Sequence, residues 1–147
     1  MAVNGRYYDW EAITAKFKGG TLVDIKSIEY SDEQKVVRKL GKGRRPRGYT
    51  LGSVQGSGKM NIMREEYERL LKDTDVQNKG LYGLTPFEVT VTYDKGDGAA
   101  TTDVLEQCIF KKRSFSGIEV DTEGPMVDLE FEILGDIRSG DIAPIAN

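Results

Sequence analysis

A chain of 147 residues with 38% apolar residues and a formal net charge of −3 has the length and composition of one globular core, so we expect a single domain over residues 1–147. Histidine is absent and cysteine occurs once, which excludes a Ser-His-Asp or Cys-His catalytic group, the usual zinc site and an internal disulfide, and we expect neither enzyme activity nor a cofactor. No apolar run reaches the roughly 18 residues of a membrane span, and residues 1–6 lack a signal-peptide core, so we expect no membrane segment and folding in the cytosol.

Period-two alternation of apolar and polar residues predicts strands with one buried face. Two irregular strands are predicted at Arg6–Trp10 and Val23–Tyr30. In a later and more regular strand, one face carries Val54, Gly56, Gly58, Met60 and Ile62, and the other carries Ser53, Gln55, Ser57, Lys59 and Asn61. The paired glycines indicate a bend or a close backbone contact.

A polar segment over about residues 31–52, which we call the arm, precedes the regular strand. Its glycines and proline make it unsuited to a core and predict an extended hairpin or loop. The chain has no acidic residue from Gln34 to Lys59, and within that stretch the arm carries Lys35, Arg38, Lys39, Lys42, Arg44, Arg45 and Arg47.

The strand alternation gives way to helical periodicity after Met63. Residues Arg64–Asp73 place Tyr67, Leu70 and Leu71 on one stripe, which predicts a single amphipathic helix over about residues 64–74. Strands are predicted afterwards at Pro86–Tyr93, Val104–Phe115 and Val127–Ile133, with a turn at Asp94–Gly98. The last of these strands has an acidic polar face formed by Asp128, Glu130 and Glu132. These elements predict a mainly β protein: an antiparallel β-sandwich or barrel-like subunit with one α-helix and the long arm.

The charges are sorted along the chain. The basic stretch is balanced by a stretch from Gly117 to Asp141 that contains one base, Arg138, and the carboxylates Glu119, Asp121, Glu123, Asp128, Glu130, Glu132, Asp136 and Asp141. This separation suggests that copies bind one another head to tail, with the bases meeting these carboxylates or the nearby Asp32 and Glu33. Two ordinary solvated loops are the simpler interpretation.

Other functions receive weaker support. Gly56-Ser57-Gly58-Lys59 is similar to a phosphate-binding loop but lacks two of its four fixed positions. Cys108 is most simply a packed strand residue. The basic arm is compatible with a small nucleic-acid-binding module, although the sequence pI of about 5.1 and the absence of aromatics within the basic run count against it. This alternative remains open.

The order of elements resembles the tail tube proteins of contractile-tailed bacteriophages, to which type VI secretion tube proteins are related. The segments that carry the resemblance are Gly5–Trp10, Asp24–Tyr30, Gly41–Gly43, Pro46–Gly52, Arg64–Leu71, Phe87–Tyr93, Cys108–Phe110 and Asp128–Glu132. The resemblance implies hexameric rings, closed by pairing of edge strands, that stack into a hollow tube. Such a tube is a conduit for genome delivery into the host cell, and DNA passes through it without specific binding.

The resemblance also implies the partners and the roles of residues. Tail sheath, tape-measure and baseplate proteins are the expected partners, and the virion tail is the expected location, after the host cytoplasm before assembly. One sheet face lines the channel, and the candidates for this lumen face are Ser53, Gln55, Ser57, Asn61, Asp128, Glu130 and Glu132. The seven bases of the arm are the candidates for ring stacking. An ordinary solvent-exposed face would show the same alternation.

Overall fold

The computed structural model describes residues 8–17, 20–96, 100–122, 124–140 and 142–144. A short 3-10 helix at Trp10–Ala12 comes first. The strands are β1 (Ile13–Phe17), β2 (Gly20–Thr21), β3 (Ile25–Leu40), β4 (Pro46–Met63), β5 (Phe87–Tyr93), β6 (Thr101–Ser116), β7 (Met126–Ile133) and β8 (Ile137–Ser139). Two helices, α1 (Arg64–Leu71) and α2 (Thr74–Lys79), lie between β4 and β5.

The described strands form one antiparallel sheet in the order β2-β1-β5-β6-β7-β4-β3. Strand β6 joins two parts of the sheet, because its first half pairs with β5 and β8 whereas its second half pairs with β7. The change of neighbour occurs beside Gln107, whose φ of 52° marks a local break in the extended backbone. The mainly β, antiparallel class predicted from the alternation is confirmed.

The inward faces of the strands meet in a core covered by α1. Met60 and Ile62 of β4 and Leu129 and Phe131 of β7 are fully buried, as the alternation predicts. Helix α1 adds the side chains of its own apolar stripe, of which Tyr67 and Leu70 are buried. Burying this apolar surface is the main favourable contribution to folding.

A hydroxyl cluster closes the sheet on itself. The hydroxyl group of Tyr30 on β3 lies 2.5 Å from that of Tyr93 on β5 and donates to the Asp103 carboxylate on β6. Ser139 Oγ of β8 donates to the other carboxylate oxygen at 2.6 Å. Burial raises the pKa of the Tyr30 hydroxyl, and the Asp103 carboxylate raises it further. These hydrogen bonds join β3 to β5 and β6, which are not its neighbours in the strand order, so the sheet curves round on itself.

Two predicted elements differ from the structure. Arg6 and Tyr7 lie outside the described residues, and the strand predicted there is wrong at Trp10, where Asp9 Oδ1 accepts from Ala12 N (3.2 Å) and caps the 3-10 helix. The single predicted helix is two helices. Helix α1 ends at Leu71, and Asp73 starts α2 because its side chain accepts from Asp75 N at 2.9 Å.

The arm is the long hairpin of β3 and β4. Gly56 is the first β4 residue that pairs with β7, opposite Ile133. On the arm side of Gly56, β3 and β4 pair only with each other, as far as Leu40 and Pro46. Every residue from 31 to 52 is exposed. At about 3.3 Å per residue, the ribbon from Asp32 to Leu40 projects about 26 Å beyond the sheet. The predicted extended hairpin is confirmed.

Gly58 is a site where the sheet depends on the absence of a side chain. A Cβ atom at Gly58 would lie 2.5 Å from Cζ of the buried Phe131 ring. We expect Gly58→Ala to lower the free energy of unfolding by about 1–3 kcal/mol, because Phe131 has no free space to move into. Urea unfolding followed by circular dichroism measures this change.

The matched control is Gly48→Ala in the arm, where the structure places no atom within 4 Å of an added Cβ. Its free energy of unfolding should stay within about 0.5 kcal/mol of the wild type. Equal effects of the two substitutions would contradict the packing of Phe131 over Gly58.

Candidate assembly surfaces

The outward side chains of β4 and β7 form one polar face. Strand register places Ser57 opposite Glu132 and Asn61 opposite Asp128, with Asn61 Nδ2 donating to Asp128 Oδ1 at 2.5 Å. Five of the seven candidate lumen residues therefore share one face, which we call the polar face: Ser57, Asn61, Asp128, Glu130 and Glu132. The other two candidates, Ser53 and Gln55, lie at the base of the arm, where Gln55 is opposite Glu33.

The polar face is less acidic than the sequence of β7 suggests. Lys111 Nζ of β6 lies 2.6 Å from Glu132 Oε1, and Glu132 holds the pKa of this lysine above its usual range. Lys112 Nζ lies 3.7 Å from Glu130 Oε2. A bulge at this point in β6 brings both consecutive lysines to the carboxylates of β7.

A row of alternating charges also crosses the polar face. Glu29 of β3 is opposite Lys59 of β4, Lys59 is opposite Glu130 of β7, and Glu130 is opposite Lys112 of β6. Opposite charges at neighbouring cross-strand positions attract each other modestly when they are exposed. The negative charge on the outward side of β7 is thus largely neutralised by the neighbouring strands. The sequence of β7 alone does not indicate this.

The structure gathers the predicted basic residues on the arm. All seven bases are exposed. Three of them lie on β3 (Lys35, Arg38 and Lys39), one lies on β4 (Arg47), and the other three lie in the connecting turn. No ion pair joins any of them to a carboxylate within the described residues. The arm therefore presents a cationic surface with no ion-pair partner in the described part of its own copy.

The carboxylates of residues 117–141 do not form one surface. Those of β7 lie on the polar face, while Glu119 and Asp121 lie in an exposed loop over residues 117–122, which we call the acidic loop. Asp136 follows β7 and is also exposed, and Glu123 and Asp141 lie outside the described residues. The predicted acidic counterpart of the arm is therefore divided among separate places.

A second surface was not predicted from the sequence. Arg113 of β6 donates to the Tyr67 hydroxyl at 2.7 Å, and its guanidinium carbon lies 5.7 Å from the centroids of the Tyr82 and Phe115 rings. Arg64 covers the same Phe115 ring at 5.5 Å. This aromatic–arginine cluster lies on the α1 side of the sheet and has the composition typical of protein interfaces. Its members are far apart in sequence, so no local pattern marks it.

The two other candidates for chemistry in the sequence, Cys108 and Gly56–Lys59, lie within strands. Cys108 is fully buried, burial raises the pKa of its thiol to about 12, and its Sγ donates to the Leu105 carbonyl oxygen at 3.3 Å. Gly56–Lys59 lies inside β4 rather than at a strand-to-helix junction.

Across the described parts of the chain, no group of three or more Cys, Asp or Glu side chains is arranged to hold a metal ion. None of the described helices has the length and apolar composition to cross a membrane.

The fold is similar to several solved structures, although no protein-family model and no curated protein matches the sequence. One is from the PVC sheath/tube terminator of an extracellular contractile injection system in its extended state. Its TM-score is 0.63 at 6% identity, over 89% of this chain and 95% of that chain. Another is the SPP1 tail tube, with a TM-score of 0.61 at 12% identity over 92% of this chain and 81% of that chain.

A third similar structure is Hcp1 from Flavobacterium johnsoniae, with a TM-score of 0.54 at 10% identity over 92% of this chain and 99% of that chain. The fold of the described residues is thus similar to that of tube and tube-terminator proteins. The resemblance predicted from the order of elements is confirmed at the level of structure, and the chain has the tail-tube fold.

Proposed function

We propose that the chain is a structural tail tube protein whose copies form hexameric rings that stack into a hollow tube, a conduit for genome delivery into the host cell. The observation that carries this proposal is the arm, a basic ribbon that projects about 26 Å from the sheet and whose bases find no carboxylate partner among the described residues of its own copy. The similarity to a tail tube and a tube terminator supports the same role.

The polar face is the surface we assign to the lumen. Its carboxylates are paired with lysines or with Asn61, so a passing polyanion meets neither a concentrated positive charge nor a strongly repelling surface. Tight phosphate binding would slow DNA, because each neutralised phosphate adds to affinity. A nearly neutral, polar lining suits transport without specific binding.

The opposite side of the sheet would then face outward. Helix α1 and the aromatic–arginine cluster lie on this side, where a tail sheath would surround the tube. Tape-measure and baseplate proteins are the expected partners inside the tube and at its end, and one similar structure comes from an anti-feeding prophage baseplate. The virion tail is the corresponding location, after the host cytoplasm before assembly.

A nucleic-acid-binding module is the second candidate, because the seven exposed bases of the arm, which pair with no carboxylate among the described residues, would also suit a phosphate backbone. This function predicts a monomer or dimer that retains DNA with a steep dependence on salt. Tube formation predicts large particles without any ligand. The size of the purified protein therefore distinguishes the two functions.

Reversing the charge of the arm tests its role in stacking. We expect Arg44→Glu, Arg45→Glu and Arg47→Glu together to reduce sedimentable polymer at least tenfold, since carboxylates would replace the bases that meet the next ring. The matched control reverses three exposed bases outside the arm, Lys16→Glu, Lys72→Glu and Lys79→Glu. Light scattering and sedimentation at low and high salt measure the polymer.

Full-length tubes from the arm variant would contradict the stacking role of these residues. A wild-type protein that stays monomeric and retains DNA would instead favour the second candidate.

Labelling of engineered cysteines tests the lumen assignment. In assembled tubes, Ser57→Cys on the polar face should react with a small maleimide but at least tenfold less with a maleimide carried by a large protein, which cannot enter the channel. Glu65→Cys on the exposed side of α1 should react with both reagents, and the native Cys108 is buried and contributes little background. Equal labelling of the two variants by the large reagent would show that the polar face is not the lumen.

A further inference from the structure

The arm carries an apolar face as well as its charges. Strand register places Val36 opposite Leu51 and Arg38 opposite Tyr49, and the alternation of β3 puts Leu40 on the same side. Leu40 is 77% exposed and Tyr49 is 68% exposed, so this face is open to water. A two-stranded ribbon is marginal in water by itself, and an exposed apolar stripe along it indicates a surface that another chain covers.

The arm and the acidic loop lie at opposite ends of the sheet. Strands β4 and β7 are antiparallel, with Gly56 opposite Ile133 at one end and Met63 opposite Met126 at the other. The arm continues β4 beyond the Gly56 end. The acidic loop leaves the other end, because it follows Ser116, which is paired with Met126. A copy shifted along the strand direction therefore brings its acidic loop to the arm of the copy behind it.

The acidic loop has the chemistry to cover such an arm. Ile118 is 74% exposed and Val120 is 86% exposed, and they alternate with Glu119 and Asp121. Neither carboxylate forms an ion pair with a base in the part of the chain that the structure describes. The loop thus offers apolar side chains and uncompensated negative charge together, which complements the apolar and basic arm.

The other described carboxylates of residues 117–141 are poorer partners. Those of β7 are already engaged by Asn61, Lys111 and Lys112 within their own copy. Asp136 follows Ile133 and therefore lies at the same end of the sheet as the base of the arm. Of the described carboxylates in this stretch, the acidic loop alone combines free charge with a position at the opposite end.

We infer that the arm of one copy docks on the acidic loop of the next copy, with Ile118 and Val120 packed on the apolar face of the arm and Glu119 and Asp121 beside its bases. This inference rests on the proposed function and names the stacking partner of the arm. The contact joins two different surfaces by a shift along the strands, so it does not close on itself and extends the assembly in one direction. Apolar burial holds the contact, and the charges set its polarity.

Cross-linking tests this contact directly. Val120→Cys is combined with either Val36→Cys or Leu40→Cys, and a short bismaleimide is added to the assembled protein. We expect at least one of the two pairs to give a regular series of covalent oligomers, while each single variant gives at most dimers because Cys108 is buried. The matched control pairs the same arm positions with Leu134→Cys, which is exposed but lies at the end of the sheet from which the arm projects.

The outcomes separate this inference from the proposed function. Tubes that form normally but give no oligomer series from either Val120 pair, or give the same series from the Leu134 control, would overturn the inference and leave the tube function standing. A wild-type protein that forms no polymer under any condition would overturn the tube function itself and the stacking contact with it.

A charge exchange gives a second readout. Glu119→Lys with Asp121→Asn should reduce polymer at least tenfold, and adding Arg44→Glu, Arg45→Glu and Arg47→Glu to the same chain should restore part of it, because the carboxylates introduced near the tip of the arm can then pair with the positive charge introduced at position 119. Asparagine is chosen at position 121 because it tolerates the φ of 61° found there. A loop variant that polymerises as well as the wild type would overturn the inference.

Discussion

The register of β4 is the constraint on which the rest of the structure depends. This strand pairs with β3 on one side and β7 on the other, and it continues past β7 as half of the arm. Its inward residues build the core under α1, and its outward residues build the polar face. A slip of one residue would exchange these two sets, since successive side chains point to opposite faces. Gly58 fixes the register because the Phe131 ring occupies the space where a side chain would be.

Much of this arrangement follows from local sequence pattern. The features that do not follow depend on bulges, on strand neighbours or on capping hydrogen bonds, which a local pattern does not show. The alternation through Met60 and Ile62 correctly assigns the buried face of β4, because period two needs no knowledge of neighbours. The pairing of Lys111 and Lys112 with β7 could not be predicted, since it depends on a bulge and on which strands lie side by side. The split between α1 and α2 depends on the capping hydrogen bond of Asp73, which competes with a continuous helix.

The cross-strand ion pairs determine which carboxylates of the acidic stretch remain available to another copy. Read along the chain, the acidic stretch is a single counterpart to the basic arm. In the folded sheet, Glu130 and Glu132 of β7 pair with lysines and Asp128 accepts a hydrogen bond from Asn61, which leaves the acidic loop as the described surface with unpaired carboxylates at the end opposite the arm. Under the proposed function, one charge pattern would provide both a nearly neutral channel lining and a polar end-to-end contact that repeats from copy to copy.

The proposed function requires that the chain assembles by itself into a hollow tube. Negative-stain electron microscopy of the purified full chain, at low and high salt and over a range of concentrations, tests this most directly. We expect rings or tubes of uniform width with an open centre and six-fold symmetry in end views. A clean monomer under all of these conditions, or particles with no central channel, would contradict it.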